Sequence, residues 1–127
     1  MKTLIISIAI VLISAHSHAV THVKLAMDLA INGKSSRPNV VTSFGKAAVL
    51  TQVEKSGNGY EISVLPNKTT IDGKEAVKLD FIVSKFEGGI KTRISKPQAI
   101  ALLGQEARVS QESKEGSLDL RVVPTLQ

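Results

Sequence analysis

Val23-Lys24-Leu25-Ala26-Met27-Asp28-Leu29-Ala30-Ile31, followed by Asn32-Gly33, is the stretch whose reading decides the fold class. Every odd position is a large apolar residue, and the even positions hold lysine, alanine or aspartate. A period of two puts the odd positions on one face of a strand. Asn-Gly then supplies the two φ > 0 residues of a tight hairpin turn. The alternation returns in Tyr60, Ile62 and Val64, in Val77, Leu79, Phe81 and Val83, in Ile90, Thr92 and Ile94, and in Leu118, Leu120 and Val122. Residues 47–53 form a further candidate strand, and Asp72-Gly73 and Gly88-Gly89 mark turns. Residues 98–103, between Pro97 and Gly104, read as strand or irregular structure. Pro66 is expected to stop the strand that precedes it, because proline brings no N–H to a ladder. Short strands at close spacing predict an all-β domain, a small antiparallel β-sandwich or partly open barrel with two similar repeated units.

Outward from these strands, residues 1–19 read as a cleavable secretory signal peptide. Lys2 gives a positive start, residues 4–13 are apolar except for Ser7, and Ser17 and Ala19 are the small residues before a cleavage point. The apolar run is short for a membrane span, so no transmembrane segment is expected once the signal is removed. Cleavage leaves residues 20–127 as one domain. The expected location is the periplasm or the exterior of a bacterium, because the chain has no cysteine although an oxidising compartment would permit disulfides. The chain has 16 basic and 11 acidic residues, and only Lys2 of these leaves with the signal. The remaining charge is mildly basic and dispersed, as on an ordinary soluble surface. Aromatics are limited to Phe44, Tyr60, Phe81 and Phe86, too few for a row of stacking platforms, so nucleic acid is not an expected partner.

Two stretches of the mature chain match at one spacing. Ser36-Arg37-Pro38 returns as Ser95-Lys96-Pro97, and Gly45, Ala48, Gln52, Lys55 and Gly57 return as Gly104, Ala107, Gln111, Lys114 and Gly116. An alternating strand and a proline close each stretch, at Pro66 and at Pro124. The units, residues 36–66 and 95–124, are expected to be structural equivalents. Gly45 and Gly104 should then lie in matching turns, and Ala48 and Ala107 at matching positions on their strands. Shared turn chemistry without duplication is the alternative.

The Ser36-Arg37-Pro38, Thr42, Gly45, Ala48 order, the strand through residues 60–66, the Asp72-Gly73 turn and the alternating residues 77–83 resemble a stretch of the secretin family. Secretins are outer-membrane channels of bacterial secretion and pilus systems. The resemblance implies a related β-module used alone, with a partner in an envelope or secretion assembly, and does not imply a channel.

Catalytic chemistry finds little footing. There is no cysteine nucleophile, and His22 is the one histidine left after residue 19. No zinc spacing and no phosphate-binding glycine motif is present, so the chain is not expected to be an enzyme. If the mature chain begins Val20-Thr21-His22, its amine, two amide nitrogens and the imidazole could hold Cu(II) or Ni(II) in a square plane. The alternative is a plain exposed terminal histidine. The leading expectation is a non-catalytic exported domain that binds another protein. The alternatives are a periplasmic metal- or small-ligand-binding protein, or a secreted inhibitor inserting the turn at residues 57–59 or at Gly88-Gly89.

Overall fold

The structure is a computed structural model and describes residues 21–127 apart from Glu115. The expected signal peptide and its cleavage point lie outside the described residues. The alternating stretches form ten strands: β1 His22–Ile31, β2 Lys34–Ser36, β3 Asn39–Ser43, β4 Ala48–Val53, β5 Gly59–Ile71, β6 Lys74–Glu87, β7 Ile90–Ser95, β8 Gln98–Leu102, β9 Ala107–Ser113 and β10 Gly116–Leu126. The described residues contain no helix. Residues 98–103, ambiguous in the sequence, are strand through Leu102.

Two antiparallel sheets pack face to face as a β-sandwich. The first runs β2-β1-β10-β9, with β3 beside β2 on the same flank of β1. The second runs β4-β5-β6-β7, with β8 beside β7 on the same flank of β6. The core between them follows the period-2 reading. Val23, Leu25, Met27, Leu29 and Ile31 from β1 meet Ile62, Val64, Val77, Leu79, Phe81 and Val83 from the facing sheet, with Leu120 and Val122 beside them. Leu25, Leu79 and Leu120 are fully buried.

The pairing of the two halves of the chain coincides strand by strand. Met27 pairs with Val122 and Phe81 pairs with Val64. Ala48 pairs with Val64, and Ala107 pairs with Val122. Leu29 faces Ser36 as Val83 faces Ser95, and Ala26 faces Asn39 as Asp80 faces Gln98. Strands β1–β5 therefore correspond to β6–β10, and each half lends its first strand to one sheet and its last to the other. The turns agree as well. Gly45 and Gly104, at φ 82° and 79°, each donate an N–H to a proline carbonyl, Pro66 and Pro124, both at 2.7 Å. Met27 and Phe81 donate to Pro38 and Pro97 at 3.0 and 2.9 Å. Ala48 is half-buried against the core and Ala107 is buried. One mismatch is a bulge between β6 and β7, where register slips at Val83/Ser84.

The expectation that proline ends these strands is overturned. β5 continues five residues past Pro66, to Ile71, which the pairing carries as far as Lys74. β10 passes through Pro124 to Leu126. A strand residue points its N–H and C=O to the same side. The Pro66 carbonyl turns toward Gly45, so the missing N–H faces the end of β4 and not β6. The β5–β6 ladder loses no bond there, and the proline is tolerated.

Candidate functional site

The strands cross between the sheets only at the corners after β3 and β8, where the chain turns at Gly45 and Gly104. Toward the other end of the sandwich the edges part. The flank between β2 and β4 opens into a cleft of about 610 Å³, lined by Leu29, Ile31, Gln52, Tyr60, Lys34 and Lys85 among others. A smaller, mainly apolar recess of about 80 Å³ continues beneath β4, against Leu29, Pro38, Leu50 and Ile62. The corresponding flank between β7 and β9 holds a cleft of about 420 Å³ lined by Val83, Ile94, Gln111 and Leu118. The paired clefts follow from the matched halves, but their chemistry differs. Tyr60 in the first is matched by Leu118 in the second, both facing the interior. Lys34 reaches across the first cleft to Glu54 at 3.7 Å, with both side chains exposed.

Tyr60 is held at the mouth of this cleft. Asn32 Nδ2 donates to Tyr60 Oη at 2.6 Å, and Asn32 Oδ1 accepts the Ser117 N–H at 2.8 Å. Asn32 can do both because it sits at φ 51° in the β1–β2 turn, a conformation asparagine tolerates. The neighbouring tips are tied to each other. Gly89 N–H donates to the Gly57 carbonyl at 3.0 Å, and Gly88 N–H to Asn58 Oδ1 at 3.0 Å. The two glycine turns singled out as inhibitor loops are therefore bonded together. A side chain at Gly57 would meet the Gly89 nitrogen at 2.8 Å.

The edge strand β4 borders the first cleft and pairs on one side only, with β5. Glu54 N–H donates to the Asn58 carbonyl, and the Pro66 carbonyl turns toward Gly45. Both bonds set the alternation of the β4–β5 ladder. Leu50 and Gln52 point their backbone groups at β5, so Val49, Thr51 and Val53 present theirs to the open side. Val49 is 57% exposed and Val53 45%, and β4 contains no charged residue.

The outer faces of the sheets carry a matched pair of carboxylates that sequence inspection missed. On one, Glu61 accepts from Lys91 Nζ at 2.7 Å and from Thr51 Oγ1 at 3.2 Å. On the other, Asp119 accepts from Arg108 Nε and Nη2, both at 3.0 Å, and from Ser110 Oγ at 3.4 Å. The Lys91 hydrogen bond holds Glu61 below the ordinary carboxylate range. The Arg108 hydrogen bonds do the same for Asp119, and Asp119 in turn raises Arg108. Each acid is tied to a neighbouring cation and hydroxyl, so the arrangement stabilises strands and offers no poised acid or base.

His22 lies at the opposite end of β1 from the cleft. It is exposed, pairs with Ser43, and its carbonyl accepts the Gln127 N–H at 3.0 Å. A copper or nickel chelate through the His22 amide would draw on the side of β1 that faces Gln127. Among the described residues no three His, Asp or Glu side chains are grouped to hold a metal ion. Among the same residues no helix is long and apolar enough to cross a membrane. Comparison with known proteins finds no matching family, no similar curated protein and no similar solved structure.

Proposed function

We propose that this chain is an exported, non-catalytic β-domain that binds another protein by accepting an extended segment along the open edge of β4. The observation that carries the reading is β4 itself. It is six residues long, uncharged, paired on one side, and flanked by a cleft and an apolar recess. Sheet edges not meant for pairing are commonly blunted by charge, proline or shortness. β2 is three residues long and contains Lys34, β7 contains Lys91 and Arg93, and β9 contains Arg108 and Glu112. A segment added beside β4 would gain main-chain hydrogen bonds from Val49, Thr51 and Val53. Its alternate apolar side chains would enter the recess against Leu50 and Ile62. The leader-like residues 1–19 and the secretin resemblance support a partner in the bacterial envelope or a secretion assembly.

The test is site-specific photo-crosslinking in cells that export the chain. Probes at positions 49 and 53 should each capture the same envelope protein, identified by mass spectrometry. A probe at the exposed Ala26, on the outer face of the other sheet, should not. Equal capture from position 26, or none from 49 and 53, would contradict the reading.

A further inference from the structure

We infer that β4 also pairs with β4 of a second copy of this chain, antiparallel and about a two-fold axis through Leu50. The inference rests on the reading of β4 as a binding edge and names an occupant for it. Three features make this edge complementary to itself. The strand has no charge of its own to oppose a like charge. Lys46 stands four residues before Leu50, and Glu54, whose 3.7 Å contact with Lys34 is between two exposed side chains, stands four residues after it. A two-fold axis at Leu50 therefore sets Lys46 of each copy against Glu54 of the other, just beyond both ends of the Ala48–Val53 ladder. Centring instead on Thr51 would put Lys46 opposite Ser56 and lose this match.

The backbone permits the same register. Val49 and Thr51 offer outward N–H and C=O groups, and in this register each faces the other across the axis, so the four residues of the two copies exchange bonds in pairs. Leu50 meets its counterpart in a non-hydrogen-bonded pair, where side chains approach most closely. Val49 meets Thr51 on the outer face, a β-branched pair that suits a ladder. The outward backbone groups of the edge become paired, and the second sheet extends through both molecules. An isologous contact of this kind closes on itself and gives a dimer, not a fibre.

The other uncharged edges are weaker candidates. β3 and β8 are five residues each and carry one exposed large apolar residue apiece, Val41 at 54% and Ile100 at 52%. On β9, Arg108 is held by two 3.0 Å hydrogen bonds to Asp119 on its own sheet, against the single 3.7 Å contact of Glu54.

Sedimentation equilibrium of the processed chain tests the inference, with circular dichroism and thermal melting to show that each variant is folded. The wild type should dimerise with rising concentration. Lys46→Glu should weaken dimerisation about tenfold or more, since it turns two attractive cross-strand pairs into repulsive ones. Lys46→Glu combined with Glu54→Lys should restore it to within about threefold of wild type. Val49→Lys with Val53→Lys should abolish it. A wild type that stays monomeric up to millimolar concentration overturns the inference, as does a charge reversal that fails to rescue. If the monomeric chain still crosslinks an envelope protein from position 49, self-pairing alone is wrong. If it neither dimerises nor crosslinks there, the reading of β4 as a binding edge falls with it.

Discussion

Leu79 and Phe81 stand two apart on β6 and are 0% and 1% exposed. Truncating either leaves a void that the tightly paired strands around it can fill only in part. Leu79→Ala or Phe81→Ala should each lower unfolding stability by about 2–5 kcal/mol, measured by urea titration. A loss under about 1 kcal/mol would contradict the burial of that side chain. At this scale the alternation of apolar residues was readable because side-chain direction follows sequence parity. The role of Pro66 was not, because a proline's effect depends on which neighbour its absent N–H would face. That direction is set by Gly45, twenty-one residues earlier, whose N–H seeks the Pro66 carbonyl. Gly45 holds φ 82°, so Gly45→Ala should cost about 1 kcal/mol from backbone strain alone. The same urea titration would show whether it does.

Strands β4 and β9 pair outward-facing hydroxyls with carboxylates on β5 and β10: Thr51 with Glu61 and Ser110 with Asp119. Nothing in the spacing of those residues marks them until the register is known, and register depends on partners far along the chain. The Glu61–Lys91 contact joins residues thirty apart across an intervening strand. Both carboxyls titrate lower when folded than when unfolded. Their contribution to stability is therefore complete above the unfolded carboxylate range and is lost as pH falls through the folded value. The melting temperature should drop as pH goes below about 4. A Glu61→Gln, Asp119→Asn double variant should show a smaller drop over the same interval. An unchanged pH profile in that variant would show that other groups govern acid unfolding. The edge strand tells a similar story. The absence of charge in residues 48–53 is plain in the sequence, but only topology reveals that this segment is an edge beside a cleft.

The described residues form two matched five-strand halves, and the turn at Asp72-Gly73 occupies the place in one half that Thr21 and Gln127 occupy in the other. Gln127 N–H donates to the His22 carbonyl at 3.0 Å, so the start of β1 and the end of β10 already meet. A circular permutant joining Gln127 to Thr21 through a short glycine linker and opening between Asp72 and Gly73 should fold. Its β-type circular dichroism should persist, and its stability should shift on the order of 1 kcal/mol, since only loop closure changes. An unfolded permutant would deny the equivalence. The repeat was legible because glycine, alanine and proline are held at fixed spacing by backbone geometry. The correspondence of β1 with β6 was not, since those strands share only alternation, which any half-buried strand has. The claim on which the functional account turns is that β4 is an open edge. Amide hydrogen exchange of residues 21–127 at low concentration, resolved by residue with NMR, tests it most directly. The account predicts fast exchange at Val49, Thr51 and Val53 and slow exchange at Leu50 and Gln52, and uniform protection across these five residues in the monomer would contradict it.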